Sequence, residues 1–460
     1  MQIYNTMDAK KVDLVPRNGE LRIYCCGPTV YNYIHIGNAR AICVFDVLRR
    51  YLEYSGIKVK FVQNFTDIDD KMIRKANETG TTVRDVAEKY IAEYFKDADG
   101  LNVRRADVHP RATENIDEIL SIVDRLVDTG YAYRAENGDV YFRTRMDKEY
   151  GKLSHQNIDD LESGARIEVG DLKEDPLDFA LWKAAKPGEP HWPSRYGEGR
   201  PGWHIECSAM ARRYLGNTID IHCGGKDLVF PHHENEIAQS ECCNGVTFSR
   251  YWMHNGFINV NGDKMSKSLG NFFLVRDVAE KYGYEPIRFF LISAHYRKPL
   301  NYTVELIEQS RASLDRLYNC RNNLDFMISK APASGSESLK EAADRCIEKF
   351  KKAMDDDLNT ADAIAALFDF TREINSAEGQ SADSLRYAAR KFDDICGVLG
   401  ILYGRKSTDE IPDEVKQLAQ QRQEARKAKN YALADELRNK VQELGYSIED
   451  TPEGPKIVKS

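Results

Sequence analysis

Residues 21–66 read LRIYCCGPTVYNYIHIGNARAICVFDVLRRYLEYSGIKVKFVQNFT and contain the pattern that decides the fold. The run LRIYCCG (21–27) predicts a buried strand, and KVKFVQNFT (58–66) predicts a second one. Between them, GNARAICVFDVLRRYLEYSG (37–56) has helical periodicity and ends at a glycine. Strand, helix and strand within about 45 residues form a βαβ unit, whose right-handed crossover implies a parallel sheet.

The rest of the chain divides by pattern around this unit. Residues 67–130 continue from it with mostly helical sequence, broken at Gly80 and Gly100. Residues 131–200 open with a hairpin pattern and become rich in glycine and proline, as expected of an insertion between two halves of a sheet domain. The α/β pattern resumes over 201–302. The specific predictions there are a helix from His204, a strand over 218–223, a helix after Pro231 and a strand over 250–260.

The remaining sequence is almost entirely helical. The predicted helices are 303–330, 338–353, 360–376 and 382–402, and residues 413–460 predict a charged helix followed by a short strand-like end. At 460 residues the chain is long enough for two to four domains.

Composition narrows the class of protein. The net charge of −8 argues against indiscriminate nucleic-acid binding but leaves room for a local basic patch. Apolar stretches fall far short of a membrane span, and the start MQIYNTMDAKK lacks the apolar region of a secretory signal. Ten cysteines in a chain of this length do not resemble a disulfide framework, so we expect a reducing, cytoplasmic compartment.

Cysteine, histidine and glutamate residues offer a candidate metal site. Cys26 ends the first strand, Cys207 lies in the helical run GWHIECSAM, and His232 and Glu236 are four residues apart on one helix face. Zinc prefers thiolate and imidazole ligands and accepts carboxylate. His233 is also available, and spacing alone decides neither between the two histidines nor among the cysteines. A thiophilic metal in a pocket would indicate a small molecule that carries sulfur.

The tetrapeptide His35-Ile36-Gly37-Asn38 lies where the first strand turns into its helix. Helix N-termini present unpaired N–H groups and a positive dipole end, so they bind phosphate. Gly37 lets a flat ligand approach the backbone, and His35 can donate to an α-phosphate. Taken alone, the tetrapeptide fits a purely structural turn equally well.

The pentapeptide Lys264-Met265-Ser266-Lys267-Ser268 is more specific. It lies between Gly262 and Gly270, which would allow the loop to close over a ligand. Its two lysines and two hydroxyls suit the negative charge that develops on a pyrophosphate leaving group.

These two motifs in a two-half sheet resemble those of class I aminoacyl-tRNA synthetases. NFTDIDDK (64–71), GWHIECSAM, PHHENEIAQS and KMSKSLGNF are similar to the motifs of the cysteinyl-tRNA synthetase family, and the resemblance runs over nearly the whole chain. It implies activation of L-cysteine by ATP, aided by Mg²⁺, and transfer of cysteine to the terminal ribose of tRNA(Cys). The implied fold is α/β, with a Rossmann-like parallel-sheet catalytic domain, an α-helical bundle and a small C-terminal anticodon-binding domain. Its parts would be the catalytic halves 1–130 and 201–302, the connective insertion 131–200, the bundle 303–404 and the anticodon-binding domain 405–460.

The resemblance also implies roles for individual residues. In that family one zinc ion, held by two cysteines, a histidine and a glutamate, binds the substrate thiolate directly. Matching motif to motif places these ligands at Cys26, Cys207, His232 and Glu236, and leaves Cys25, Cys223 and His233 as neighbours. The implied catalytic residues are His35, Asn38, Lys264 and Lys267, the ATP contacts are Gly37, Asp227 and Lys267, and the cysteine contacts are Thr66, Trp203 and His222.

Some of these positions have alternative interpretations. The family commonly has histidine where Asn38 stands, and asparagine keeps a hydrogen-bond donor but cannot become cationic. Trp203 could be simple core packing, and His222 could be a strand histidine with satisfied hydrogen bonds.

The C-terminal helices resemble the part of the family that recognises tRNA. MDDDLNTADAIAALF (354–368) and EARKAKNYALADELR (424–438) carry this likeness. The implied anticodon contacts are Arg426, Tyr431, Asp435 and Asp450. Arginine and aromatic side chains suit unstacked single-stranded bases, although the family more often has tryptophan where Tyr431 stands. A solvated charged helix is the alternative interpretation.

Two other functions compete with this interpretation. A ligase that couples activated cysteine to an amino-sugar would share the catalytic half but lack residues 413–460. A non-catalytic RNA-binding or thiol-sensing relative would not need an intact KMSKS loop. We therefore expect a cysteine–tRNA ligase with one Zn²⁺ per chain, and the family resemblance favours a monomer.

Overall fold

The computed structural model of the protein describes residues 1–158, 172–264, 273–405, 412–451 and 454–459. Most of the KMSKS motif, including the predicted catalytic residue Lys267, lies outside the described residues. The backbone of Lys264 is described, at the end of a short strand.

Two compact units divide the chain. The first comprises residues 1–312, 350–364 and 398–401, and the second comprises 313–349, 365–397 and 402–460. The strands up to residue 302 are β1 (Gln2–Asn5), β2 (Lys10–Asp13), β3 (Glu20–Cys25), β4 (Lys58–Gln63), β5 (Ala132–Arg134), β6 (Val140–Phe142), β7 (Phe179–Ala184), β8 (Gly199–Pro201), β9 (Ile219–Gly225), β10 (Ser249–Asn255), β11 (Ile258–Val260), β12 (Asp263–Lys264) and β13 (Leu300–Tyr302). The helices over the same stretch are α1 (Ile36–Tyr54), α2 (Asp70–Thr79), α3 (Val83–Gly100), α4 (Ile116–Asp128), α5 (Ile205–Leu215), α6 (Glu234–Asn244), α7 (Val275–Tyr282) and α8 (Tyr284–Ile292).

A four-stranded parallel sheet forms the centre of the first unit. Its strand order is β10-β9-β3-β4, and each neighbouring pair runs parallel. The predicted βαβ unit is confirmed as β3, α1 and β4. Strand β9, from the second half of the α/β sequence, pairs with β3 so that Cys25 lies opposite Cys223. The two halves therefore form one sheet, and the strand ends that carry the predicted site residues share one edge.

Helix α1 is buried on most of its surface because it is covered on several sides. It packs against β4, β9 and α8. Phe45, Val47 and Leu48 are fully buried in it. The helix therefore packs between the parallel sheet and a further helix, and hydrophobic burial supplies the main stabilisation there.

The strand predicted over 250–260 is two strands, and the single-strand prediction was wrong. Strand β10 ends at Asn255, and β11 begins at Ile258 in a different sheet with β12 and β13. The chain changes direction at Gly256, where an added Cβ would come within 2.6 Å of the Lys298 carbonyl oxygen. A continuous apolar pattern cannot reveal such a break, because both segments are buried.

The inserted region builds a sheet of its own. Strands β5, β6, β7 and β8 form an antiparallel sheet in that order. Its core includes Val140, Phe142, Leu181 and Trp182, which are fully buried. The hairpin predicted at the start of this region is confirmed as β5 and β6.

The second unit is largely helical. Its elements, together with the remaining helices of the chain, are α9 (Val304–Lys330), α10 (Ser338–Asp355), α11 (Thr360–Asn375), α12 (Ala382–Leu399), α13 (Asp413–Lys427), α14 (Tyr431–Glu443), β14 (Tyr446–Thr451) and β15 (Gly454–Lys459). The single charged helix predicted after residue 413 is a pair of helices followed by a hairpin. Val415, Ala419, Val441 and Ile448 form the small core of this last piece. Among the described residues, no helix is both long and apolar enough to cross a membrane.

Candidate active site and metal cluster

Four of the predicted site residues converge in the first unit although they lie far apart in sequence. Cys26 follows β3 directly, Cys207 lies on α5, and His232 and Glu236 lie at the turn before α6 and in its first turn. The Cys26 backbone N–H donates to the Cys223 carbonyl oxygen at 3.0 Å, which fixes Cys26 at the sheet edge. The donor atoms of these four side chains all lie within 4.8 Å of one another.

The separations within this quartet suit one tetrahedral ion. The two sulfurs of Cys26 and Cys207 are 3.8 Å apart, and Cys26 Sγ is 3.7 Å from Glu236 Oε1. His232 Nε2 lies 3.1 Å from the same carboxylate oxygen. Ligands bonded to one zinc ion at their usual bond lengths are separated by roughly 3.3 to 3.8 Å. The two distances from Cys26 Sγ agree with that spacing, and the His232–Glu236 separation is slightly shorter, as for a direct hydrogen bond between the two side chains.

Two further histidines contact these candidate ligands on the side away from the cluster. His204 Nδ1 lies 2.9 Å from His232 Nδ1, the ring nitrogen that faces away from the cluster. His222 Nε2 lies 2.8 Å from Glu236 Oε2, the carboxylate oxygen not used within the quartet. Such outer contacts orient metal ligands and fix their protonation.

A second combination also brings four donors together. Cys26, His222, His233 and Glu236 satisfy the same 4.8 Å limit. This set has only one thiolate. Neither His222 nor His233 lines the cavity next to the cluster, whereas Cys26, Cys207 and His232 do. The first quartet therefore offers the more thiophilic donor set and the better access for a ligand.

Burial and mutual contact shift the pKa values in the cluster. The Cys26 thiol donates to the Cys207 sulfur and lowers the pKa of Cys207 to about 6, while burial raises the pKa of Cys26 well above its usual value. Burial opposes ionisation of Glu236, but the contacts with His222 and His232 outweigh it and lower the pKa of Glu236 to about 2. Burial likewise opposes charging of His232, yet Cys207 and Glu236 raise its pKa to about 10. Cys207 and Glu236 are thus favoured as anions before any cation binds, whereas Cys26 and His232 would have to lose a proton to a metal ion.

A cavity of about 440 Å³ opens above the cluster. It is lined by Cys26, Cys207 and His232 of the cluster, by Thr66 and Trp203, and by Asp227 and the first turn of α1. The cavity therefore extends across the carboxyl edge of the parallel sheet, where open α/β sheets bind ligands.

The predicted phosphate-binding turn caps helix α1. The Asn38 backbone N–H donates to His35 Nδ1 at 3.3 Å, and the His35 backbone N–H donates to Asn38 Oδ1 at 3.2 Å. This reciprocal capping gives Asn38 a structural role that needs no charge. The turn is also tied to the segment after the KMSKS motif, because the Ile36 N–H donates to the Phe273 carbonyl oxygen at 3.1 Å.

The three residues predicted to contact the substrate cysteine differ in how deeply they are buried. Thr66 is 3% exposed, lines the cavity and hydrogen-bonds to the buried carboxyl of Glu206. Trp203 is 42% exposed, so it is not a core residue. The centroids of the Trp203 and His232 rings are 4.5 Å apart, and the two rings are tilted. His222 is fully buried behind Glu236 and stacks on Trp252, so it does not reach the cavity surface.

The predicted anticodon residues lie at the surface of the second unit. Tyr431 is 62% exposed at the start of α14, and Asp435 is exposed one turn further on. Asp450 pairs with Arg426 and accepts two hydrogen bonds from Arg422 at 2.8 and 3.0 Å. Arg426 and Asp450 are each about half exposed.

Sequence reasoning missed His204, Arg422 and Asn255. His204 stands in the quoted run GWHIECSAM, beside the predicted ligand Cys207, and that proximity was the available signal. Arg422 is four residues before Arg426 on the same helix face, so helical spacing would have suggested it. Asn255 carries no motif, and only the cavity reveals it.

Comparison with known proteins defines the class first. Residues 13–312 match the family model described as the tRNA synthetases class I (C) catalytic domain. A solved methionyl-tRNA synthetase of Mycobacterium tuberculosis, in complex with methionyl-adenylate, superposes with a TM-score of 0.63 at 15% identity, covering 83% of this chain and 90% of that one. A leucyl-tRNA synthetase complex from Agrobacterium radiobacter gives a TM-score of 0.60 at 11% identity, with 83% of each chain covered. The fold is that of the class I aminoacyl-tRNA synthetases.

More similar sequences define the family. Residues 349–403 match the DALR domain, and 408–455 match the cysteinyl-tRNA ligase anticodon binding domain. The cysteine–tRNA ligase of Caldicellulosiruptor saccharolyticus is 55% identical over 99% of both chains, and that of Clostridioides difficile is 53% identical over 99% of both. The chain belongs to the cysteine–tRNA ligase family.

Proposed function

We propose that the protein activates L-cysteine with ATP and Mg²⁺ and transfers it to the 3′-terminal ribose of tRNA(Cys), with the cysteine thiolate recognised at a zinc ion. The observation that carries the proposal is the convergence of Cys26, Cys207, His232 and Glu236 beside a cavity that the N-terminus of helix α1 also lines. The four side chains suit a sulfur ligand, and the helix N-terminus suits a phosphate. A substrate extending between them would carry both groups.

Zinc fits the residues that would hold it. Two thiolates, an imidazole and a carboxylate form a donor set that zinc accepts in a tetrahedral shell. When bound, zinc would lower the pKa of the substrate thiol and favour sulfur over hydroxyl. Cysteine and serine differ by one atom, and an ordinary pocket discriminates poorly between such near-isosteres. Selection by a metal would make a separate hydrolytic editing step unnecessary.

The chain's own residues would arrange the reactants. His204 and His222 hold His232 and Glu236 in place, and Trp203 lies next to His232, where it would contact the substrate cysteine. Thr66 would contact the amino-acid end of the substrate. At the other end, the capped start of α1 with His35, Gly37 and Asn38 would hold the triphosphate, and Asp227 would bind the ribose. Lys264 and Lys267 would stabilise the departing pyrophosphate.

The second unit would recognise tRNA. We assign residues 405–460 to the anticodon side, with Arg426, Tyr431, Asp435 and Asp450 as the contacting residues, and residues 303–404 to the bundle that supports it. Residues 1–130 and 201–302 would be the catalytic halves and 131–200 the connective insertion. We further propose a cytoplasmic monomer.

Cysteine-dependent and serine-dependent ATP–pyrophosphate exchange test the first part of the proposal. Exchange with cysteine should exceed exchange with serine by far more than the roughly hundredfold that a plain pocket achieves. Comparable exchange with serine would refute zinc-based selection. Charging of tRNA with labelled cysteine tests the second part, since an enzyme that exchanges pyrophosphate yet never acylates tRNA would be a thiol-biosynthesis ligase instead.

A further inference from the structure

Asn255 has an unsatisfied polar atom at the cavity. It ends strand β10, is only 4% exposed and lines the cavity. Its Nδ2 donates to the Gly256 carbonyl oxygen at 3.2 Å, whereas Oδ1 has no hydrogen-bond partner. Within the described part of the chain, it is the buried side chain that both lines this cavity and keeps an unpartnered polar atom. A buried acceptor left unpaired is costly, so a ligand donor at this position would be favoured.

A hydrogen bond to a fixed carbonyl oxygen sets the orientation of the Asn255 side-chain amide. The Gly256 carbonyl that receives Nδ2 also accepts a hydrogen bond from Arg40 Nη1 at 2.9 Å, and Arg40 Nη1 binds the Phe257 carbonyl oxygen at the same distance. Arg40 is fully buried on α1 and holds two more carbonyl oxygens through Nη2. The Gly256 N–H in turn donates to the Tyr296 carbonyl oxygen. Because Nδ2 faces a fixed carbonyl, Oδ1 is the atom left for a ligand.

The order of the sheet indicates which part of a nucleotide reaches Asn255. The strands run β4, β3, β9 and β10 across the sheet. Thr66 follows β4 and Cys26 follows β3, so the amino acid occupies that side. Asp227, the proposed ribose partner, follows β9. Asn255 ends β10, one strand beyond, and the group attached to the far side of a ribose is the base.

We propose that Asn255 Oδ1 accepts a hydrogen bond from the 6-amino group of the adenine of ATP. This inference rests on the proposed binding of ATP in the cavity. Guanine presents a 6-oxo group, which would place two acceptors face to face. Asn255 would thus select adenine nucleotides by pairing with a donor that guanine lacks.

The test compares ATP with purine riboside 5′-triphosphate, which lacks only the 6-amino group, in cysteine-dependent pyrophosphate exchange. The wild-type kcat/KM should be about tenfold lower with the analogue, the effect of one neutral hydrogen bond together with an unpaired acceptor. In Asn255→Leu, which is nearly isosteric, the value for ATP should fall and the ratio between the two nucleotides should approach one. Asn77→Leu, an exposed position on α2 away from the cavity, should keep the wild-type ratio.

Each outcome decides the inference. A wild-type enzyme that uses both nucleotides equally well overturns it without any variant, so failure of Asn255→Leu to fold leaves a decisive measurement. A preference that persists in Asn255→Leu overturns it as well. If Asn255→Leu instead loses discrimination against 2′-deoxy-ATP, the donor is a ribose hydroxyl and the adenine assignment is wrong. Absence of exchange with ATP and cysteine in the wild-type protein would refute the proposed function, not the role of Asn255.

Discussion

The candidate metal cluster and the C-terminal surface that we propose for anticodon contact (Arg426, Tyr431, Asp435 and Asp450) both present polar side chains, but under opposite conditions of burial. In the cluster, Cys207, His232 and Glu236 are at most 3% exposed and contact one another. At the C-terminal surface, Tyr431 is 62% exposed and Asp450 about half exposed, with one local ion-pair group as the main contact. Buried polar groups depend on their partners, whereas exposed ones are solvated when a partner is lost. Substitutions should therefore have large, coupled effects in the first region and small, separable effects in the second.

The largest effect is expected from Cys207→Ala. Loss of one thiolate should abolish stoichiometric zinc binding and lower cysteine-dependent exchange by more than about a hundredfold, the upper range for losing even an outer partner of a metal site. Metal analysis of the purified protein and exchange kinetics would measure this. Cys242→Ala, outside the cluster, should keep the metal and the activity. If Cys207→Ala retains one zinc, the alternative set with His222 and His233 holds the ion.

The second-largest effect is expected from His222→Phe, which changes a residue that hydrogen-bonds to the candidate metal ligand Glu236 from outside the quartet. The phenyl ring should keep the stacking on Trp252 but remove the hydrogen bond to Glu236. We expect zinc affinity to fall by about 10- to 100-fold, as for other outer partners of metal ligands. Competition with a chelator measures the change, and His191→Phe, at an exposed position, is the matched control. Unchanged affinity would show that His222 does not orient the carboxylate, and complete loss would indicate that it is a ligand.

A smaller and more selective effect is expected from Tyr431→Ala. Because we propose that this exposed ring stacks on a base, its removal should lower kcat/KM for tRNA charging by about tenfold. Cysteine-dependent pyrophosphate exchange should be unchanged, because the residue belongs to the second unit. Tyr431→Phe keeps the ring and should charge tRNA nearly as well as the wild type. A parallel fall in exchange would contradict a role confined to tRNA recognition.

The smallest effect concerns pH and Asp450. Hydrogen bonds from Arg422, with help from Arg426, lower the pKa of Asp450 to about 2. Because the pKa is depressed in the folded protein, the stabilisation is present above the usual value near 4 and is lost as the pH falls towards 2. The half-exposed group should contribute less than about 1 kcal/mol. Hydrogen exchange of the Tyr446–Thr451 strand should show this acid sensitivity in the wild type and not in Asp450→Asn. Equal sensitivity in both proteins would contradict the assignment.

Much of the fold follows from local sequence. The βαβ unit and the helices near 303–330 and 360–376 are within a few residues of their observed bounds, because periodicity reports which face of each element is buried. The break at Gly256 escaped prediction because it depends on the Lys298 carbonyl, more than forty residues away in the chain. The four-stranded sheet of the insertion was predicted only as a hairpin, because β7 pairs with β6 through a long-range contact and β8 lies in a stretch rich in glycine and proline.

Sequence by itself determined that the chain carries nucleotide-binding motifs on an α/β scaffold, that it offers cysteine, histidine and glutamate as metal donors, and that it resembles one family throughout. Tertiary structure decided which of these donors meet. Side chains from β3, α5 and α6 share one edge only because β9 inserts next to β3, and no local pattern encodes that distance. The same packing put His222 behind Glu236 rather than at the cavity, and it left the amide oxygen of Asn255, a residue that lines the cavity, without a partner. Local sequence specifies secondary structure and chemistry, whereas the geometry of a site arises from long-range packing that fixes each side chain against residues distant in the chain.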